Sequence, residues 1–251
     1  MGDDKAIIEV RDLTAGYGDE VILKGISFKV AKGEIFVILG GSGCGKSTLM
    51  KHMIGLYPLL KGEILIGGED LNGATGEDRE RILRRFGVMY QSGALFGSMT
   101  LRENVELAME EFTTLSPDAR KSIAKMKLKL VGLDGFEDHL PSAVSGGMQK
   151  RAAIARAMAL DPAVLFLDEP SAGLDPVTSA DLDALILRLR EALGVTFVIV
   201  THELPSIYAV ADRVIMLDRE KKGIIAEGAP KELRDNSQDI FVRKFFLREA
   251  A

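Results

Sequence analysis

One cysteine, Cys44, stands among 251 residues, so neither an internal disulfide nor a multi-cysteine zinc site can form. No run of about 18 consecutive apolar residues occurs, which removes a membrane-spanning helix. The opening residues Met1 to Lys5 lack the basic flank and apolar run of a signal peptide. A basic excess is missing too: 32 lysines and arginines stand against 37 aspartates and glutamates, a net charge of −5. Bulk charge therefore argues against a dedicated nucleic-acid binder, and no nucleic-acid partner is expected. Internal repeats, low-complexity linkers and long like-charge blocks are also lacking. What is left, 47% hydrophobic and 27% charged, is the balance of a globular, cytosolic-type protein with length for a substantial core.

Short apolar runs alternate with helical patterns, which predicts an α/β fold on a buried parallel sheet. Ile35-Phe36-Val37-Ile38-Leu39, Val164-Leu165-Phe166-Leu167 and Phe197-Val198-Ile199-Val200 have no polar face, as in strands covered on both sides. Each ends at polar residues, and ligands collect beyond the carboxyl ends of such strands. Asp175-Pro176 and Ser116-Pro117 read as helix starts. After Asp175, Leu182, Leu185, Ile186, Leu189 and Leu193 share one face, and Gly194 stops the helix. Residues 92–158 carry no comparable apolar run and read as a helical subdomain inserted into a sheet domain of 1–91 and 159–228. A helical tail spans 229–251. Ile7–Val10 and Ile26–Val30 read as two strands of an antiparallel layer.

Gly40-Gly41-Ser42-Gly43-Cys44-Gly45-Lys46-Ser47-Thr48 matches G-x-x-x-x-G-K-[ST] between a strand and a helix, the context of a phosphate-binding loop. Glycines let backbone amides curl around phosphate oxygens, and the next helix adds its N-terminal amides. Lys46 would reach the β- and γ-phosphates, and the Ser47 hydroxyl a Mg²⁺ ion. Asp168 and Glu169 close the 164–167 strand. A carboxylate there can hold Mg²⁺ opposite Ser47, and its neighbour can polarise an attacking water. Ser145-Gly146-Gly147 opens another helix, with serine as cap and two glycines baring the helix end to a second phosphate. Cys44, near Lys46 and a helix N-terminus, is explained by its small size; a reactive thiol is the sharper alternative.

In order along the chain, the loop at 40–48, Gln91, Ser145-Gly146-Gly147, Asp168-Glu169, Ser171-Ala172-Gly173-Leu174-Asp175 and His202 resemble the six motifs of the ATP-binding cassette (ABC) ATPases. The resemblance covers residues 7 to about 230 and implies a P-loop NTPase (RecA-like) core with an antiparallel β layer and a helical subdomain. It also implies ATP and Mg²⁺, with Ser47, Gln91 and Asp168 as metal ligands, and Tyr17 of Gly16-Tyr17-Gly18 stacked on adenine. Two copies would enclose two ATP, each between Lys46 and Ser47 of one chain and Ser145 and Gly147 of the other. Glu169 would be the general base, His202 would contact the γ-phosphate, Gln91 would sense metal and water, and Asp175 would link the sites. His52 and His139 lack such context and read as structural.

The family's Leu-Ser-Gly-Gly-Gln reads Val144-Ser145-Gly146-Gly147-Met148 here. With Ala94-Leu95-Phe96 and Thr201-His202-Glu203-Leu204, it is similar to the ATPases of Mce-linked lipid transporters, the maintenance-of-lipid-asymmetry type. That implies phospholipid cargo, a membrane permease docking near Gln91–Met99, an Mce-type lipid-binding subunit, and a place on the cytoplasmic face of the inner membrane. Leu95 and Phe96 are equally read as packing of the helical subdomain. Phe241 to Phe246, with i, i+4 apolar pairs, either lie on their own domain or brace the second copy. An ABC ATPase moving amino acids or metals, or a soluble one acting on DNA or ribosomes, is the alternative. The single cysteine, single cassette and absent coiled coil count against the soluble types.

Overall fold

A computed structural model describes residues 6–18 and 20–248. Residues 1–5, on which the signal-peptide reading falls, and the last three of the tail lie outside the described residues. Two sheets share the work. β1 (Ala6–Tyr17), β2 (Glu20–Ala31), β4 (Lys61–Ile66) and β5 (Glu69–Asp70) form an antiparallel sheet in the order β2-β1-β4-β5. The second sheet contains β3 (Ile35–Gly40), β6 (Phe86–Met89), β7 (Val164–Asp168), β8 (Thr196–Val200), β9 (Arg213–Asp218) and β10 (Gly223–Gly228). Its order is β10-β9-β3-β8-β7-β6, parallel except for the β9–β10 hairpin.

The large sheet is buried on both faces, as its unbroken apolar runs require. Phe36, Ile38, Phe166 and Val198 face the antiparallel sheet and α1 (Lys46–Met53), where Phe28 stacks on Phe36 with centroids 5.1 Å apart. Ile35, Val37, Leu39, Leu165 and Phe197 face the helices. These include α3 (Leu101–Phe112), α4 (Pro117–Leu130) and α5 (Gly146–Ala157), all within the expected helical region, then α6 (Pro176–Leu193) and α7 (Leu204–Val210). α2 (Gly76–Leu83) precedes β6, and α8 (Pro230–Asn236) and α9 (Ile240–Leu247) follow the last strand. α6 is capped by Asp175 and ends at Gly194, whose φ of 66° is the left-handed stop. In α9, Val242 and Phe246 are buried and the Tyr208 hydroxyl donates to the Phe246 carbonyl at 3.0 Å, so the tail lies on its own domain.

Three elements differ from the sequence reading. β1 and β2 run for 12 residues each, well past the four or five expected. Successive exposed Arg11 and Asp12, the latter at φ 44°, mark a register shift that interrupts alternation without ending the strand. β6 is a further parallel strand that four residues, one of them glycine, could not announce. Gly87 is required there, because a Cβ would lie 1.8 Å from the Ala157 carbonyl oxygen of α5. No helix among the described residues is long and apolar enough to cross a membrane.

Candidate nucleotide-binding and hydrolysis site

Four neighbouring parallel strands end at one edge. Register pairs Met89 with Leu167, Asp168 with Val200 and Val200 with Ile38. The segments leaving β6, β7, β8 and β3 therefore emerge side by side, carrying Gln91, Asp168-Glu169, His202 and the glycine-rich loop. Distance in sequence is cancelled by strand order, and polar groups gather where open parallel sheets bind ligands.

The loop after β3 turns into α1 at Gly45, whose φ of 101° no side chain adopts without strain. No side chain caps α1, so its leading amides face outward as anion donors. Lys46 Nζ donates to the carbonyls of Gly40 and Gly41 at 2.9 and 3.1 Å, which lays its ammonium across the loop. Ser47 is exposed at the same turn, and Thr48 is buried behind it. Cys44 is buried, and a Cβ on Gly40 would lie 2.6 Å from its sulfur. Burial pushes the thiol up from its ordinary range, against the pull of Lys46. The reactive-thiol alternative is thereby corrected: a small buried side chain fills the space under Gly40.

At the end of β7, Glu169 adopts φ 45°, a left-handed value that costs a non-glycine residue on the order of 1 kcal/mol or more. Its N–H donates to the Val200 carbonyl at 2.8 Å, and His202 Nδ1 donates to Glu169 Oε1 at 2.7 Å. The backbone is bent so that one carboxylate meets the histidine of the next strand. Asp168 Oδ1 and Glu169 Oε2 are buried without a hydrogen-bond partner. Burial and the adjacent Glu169 charge hold the Asp168 carboxyl above its usual range, while Lys51 and Lys46 draw it down. Two orphaned carboxylate oxygens, that of Asp168 near enough to Lys46 to feel its charge, fit a divalent cation, the partner that would relieve both. Mg²⁺ keeps waters and substrate phosphates in its shell, so one or two protein ligands suffice. Gln91 and Asp168 line one cleft of ≈ 570 Å³ with Tyr90, Ser92 and Gly173.

Tyr17 lies at the end of β1, 37% exposed. Its ring meets Tyr57 edge-on at 5.0 Å and His52 at 6.2 Å. His52 is fully buried and donates from Nδ1 to the Thr48 carbonyl at 2.8 Å, in keeping with its structural reading. Asp175 caps α6, accepting from Val177 N and Thr178 N at 3.0 and 3.1 Å and from the Thr178 hydroxyl at 2.5 Å. Those donors hold its carboxyl below the ordinary range.

Ser145, Gly146 and Gly147 are not brought to the glycine-rich loop; they sit at the start of α5 against α6. Ser145 Oγ accepts from Met148 N at 3.3 Å. A Cβ on Gly147 would lie 2.5 Å from Thr178 Cγ2, so helix packing accounts for one glycine of the pair; nothing nearer than Leu174 Cδ2 at 3.9 Å would meet one on Gly146.

Sequence reasoning missed Tyr57 and Lys150, and gave Ser171 no role of its own within the 171–175 motif. Ser171 Oγ is buried without a partner two residues past Glu169. Lys150 is a buried cation on a helix that also carries Arg151 and Arg156 among Ala152, Ala153 and Ala155, so nothing in the sequence singles it out. Leu95 and Phe96 divide between the two readings. Leu95 packs on the core, whereas Phe96 is half exposed beside a groove of ≈ 660 Å³ with Leu83, Tyr90, Leu107, Phe112 and Leu160. Buried Asn104 holds this turn, accepting from Phe96 N at 2.8 Å and donating to the carbonyls of Phe96 and Met99 at 3.1 Å.

Comparison with known proteins agrees with this geometry. A family model described as ABC transporter matches residues 23–172. The intermembrane phospholipid transport system ATP-binding protein MlaF of Haemophilus influenzae is 39% identical over 97% of this chain and 91% of its own length. The probable ribonucleotide transport ATP-binding protein mkl of Mycobacterium leprae is 40% identical over 95% of this chain and 68% of its length. The dimeric, post-hydrolysis ATP-binding cassette MJ0796 bound to ADP and Pi superposes with a TM-score of 0.78 at 30% identity, covering 88% of this chain and 98% of that one. The chain belongs to the ABC transporter family and is an ATP-binding, ATP-hydrolysing subunit coupled to transport.

Proposed function

We propose that this subunit powers the movement of phospholipid, working as two copies that enclose two ATP beneath a membrane permease with an Mce-type lipid-binding subunit. The observation that carries the hydrolytic part is the 2.7 Å contact between His202 and strained Glu169 at the shared strand edge. The cargo rests on the MlaF relative, the ATP-binding protein of an intermembrane phospholipid transport system. The mycobacterial relative is named for ribonucleotides, which makes nucleotide cargo the second reading.

In the mechanism, the loop amides and Lys46 bind the β- and γ-phosphates, and Tyr17 stacks on the base. Glu169 accepts the proton of the attacking water, and His202 fixes that carboxylate through Nδ1 while its ring faces the γ-phosphate. Ser47, Asp168 and Gln91 would hold Mg²⁺, which supplies charge neutralisation at the phosphate oxygens. Ser145 and Gly147 meet the ATP of the second copy at the N-terminal end of α5, and Asp175 joins the two sites. ATP contacts the two copies only while its γ-phosphate is present, so hydrolysis removes the differential contact that closed the pair. The groove beside Phe96, apolar at its base, is where the permease docks. That docking places the chain on the cytoplasmic face of the membrane.

Glu169→Gln tests the assignment. ATP binding should persist, an ATP-dependent dimer should accumulate on size exclusion, and turnover should fall by about 10²- to 10⁴-fold. Turnover at the wild-type rate would remove Glu169 from its role. Affinity capture from native membranes in mild detergent tests the cargo: co-purified phospholipid and an Mce-type protein support it. A different permease without lipid keeps the motor and discards the cargo.

A further inference from the structure

α5 holds the segment after β6 by its carbonyls. Lys150 Nζ donates to the Gln91 carbonyl. Arg156 donates to the Gly93 carbonyl at 2.8 Å and the Ala94 carbonyl at 2.5 Å. Three of the four carbonyls from Gln91 to Ala94 are therefore gripped by two cations of one helix. The segment is strained where it is gripped: Ala94 has a φ of 48°. A left-handed alanine persists only where its surroundings over-determine it.

These cations are not members of a solvated face. Lys150 is 8% exposed, a rare situation for a lysine without a compensating group. Burial pushes both Lys150 and Arg156 below their ordinary ranges, while the charges of Asp168 and Glu169 favour a charged Lys150. One helix thus touches three places. Its first turn carries Ser145 to Gly147, its middle reaches Gln91 beside Asp168 and Glu169, and its end lines the apolar groove through Arg156 and Ala157.

Resting on the hydrolytic reading above, we propose that Lys150 is a positioning residue: it fastens the Gln91 backbone to α5 and places a cation beside the Asp168–Glu169 pair. Arg156 fastens the far end of the same segment. Gln91 is then set by α5, and a displacement of α5 from either end is delivered to the hydrolytic cleft. Because Lys150 acts through Gln91, it governs the rate of the bound complex more than the capture of ATP.

The test compares Lys150→Met, Lys150→Arg and the wild-type full chain in steady-state ATP hydrolysis and in amide hydrogen exchange. Methionine keeps an unbranched stem without the cation. Lys150→Met should lower kcat on the order of 10- to 100-fold while KM for ATP changes by no more than about twofold. Amides of 91–95 should exchange faster, while those of 152–157 keep wild-type protection. Lys150→Arg should restore both readouts. Unchanged exchange at 91–95, wild-type kcat in Lys150→Met, or failure of arginine to restore it would each overturn the proposal. So would a loss of protection all along α5, which marks a packing role. Should the methionine variant not fold, Lys150→Gln is measured in its place against the same outcomes. Glu169→Gln run alongside separates the readings: if it still turns over, the hydrolytic assignment fails, and exchange at 91–95 alone decides the clamp.

Discussion

Tyr17 is 37% exposed, with the rings of Tyr57 and His52 at centroid distances of 5.0 and 6.2 Å. A base on the ring would gain stacking of about 1–3 kcal/mol. Tyr17→Ala should therefore weaken ATP binding roughly 5- to 150-fold by calorimetry. Tripolyphosphate, which has no base, should bind as before; an equal loss for both ligands would mean a distorted phosphate loop and sink the stacking role. Tyr17→Phe should change affinity by no more than about twofold, because the hydroxyl reaches Thr48 only at 3.5 Å. At this scale the sequence was most legible where function is local. Lys46, Ser47, Asp168 and Glu169 sit in contiguous motifs whose chemistry depends on neighbours in the chain. Tyr57 and Lys150 were hidden for the converse reason. Tyr57 stands in a loop without periodicity, and Lys150 finds its partner 59 positions away in the chain. Cys44 carries a reactive alternative to its small-size reading in the sequence because its neighbours reveal positive charge and say nothing of burial.

Elements were legible by their apolar period and opaque where a kink broke it. The β3, β7 and β8 runs were evident because both faces are buried, whereas β1 was truncated at its Arg11-Asp12 bulge. The double glycine of α5 divides similarly between motif and packing. Gly147→Ala should weaken the α5–α6 contact by about 1–3 kcal/mol, since its methyl would overlap Thr178 Cγ2. Thr178→Ser removes that methyl and keeps the hydroxyl bond to Asp175. The double variant should regain most of the lost thermal stability. If it regains ATP turnover as well, the glycine serves packing; stability without turnover leaves the close phosphate approach as its purpose.

The antiparallel layer offers a pH test at the same scale. Arg11, then Lys29, hold the Glu9 carboxyl down from 4.5 to about 2. A carboxyl depressed in the folded state contributes stability that is complete above about 4.5 and lost as pH falls toward 2. Glu9→Gln should flatten the stability profile across that window and leave its shape near neutrality unchanged. The group is exposed, so ~1 M salt should erase most of the difference. A wild-type slope persisting in Glu9→Gln would assign the acid sensitivity to other carboxylates.

For the whole molecule, the hydrolytic edge and the apolar groove share the segment that follows β6, and the proposed coupling of hydrolysis to a membrane partner rests on that sharing. The groove is walled by Leu83, Leu107, Phe112 and Leu160, with Phe96 half exposed at its side. An apolar helix of a membrane partner would bury these side chains at about 25 cal/mol per Å² of apolar surface removed from water. Phe96→Glu should oppose that docking, because a carboxylate would lose water against an apolar helix while the cations lining the groove are already engaged, Arg156 on the Gly93 and Ala94 carbonyls and Arg84 on Glu80. The cost of several kcal/mol predicts at least about a tenfold fall in the permease recovered by affinity capture. The substitution faces solvent in the free chain, so the melting temperature should move by no more than about 2 °C. Phe96→Leu restores apolar surface and should recover the partner. Equal recovery of the permease by Phe96→Glu and wild type would place the docking surface elsewhere. A loss with Phe96→Leu comparable to that with Phe96→Glu would instead show that the ring shape, rather than groove polarity, is read by the partner. Only the pattern of loss with glutamate and recovery with leucine makes this groove the apolar seat through which partner movement reaches Gln91.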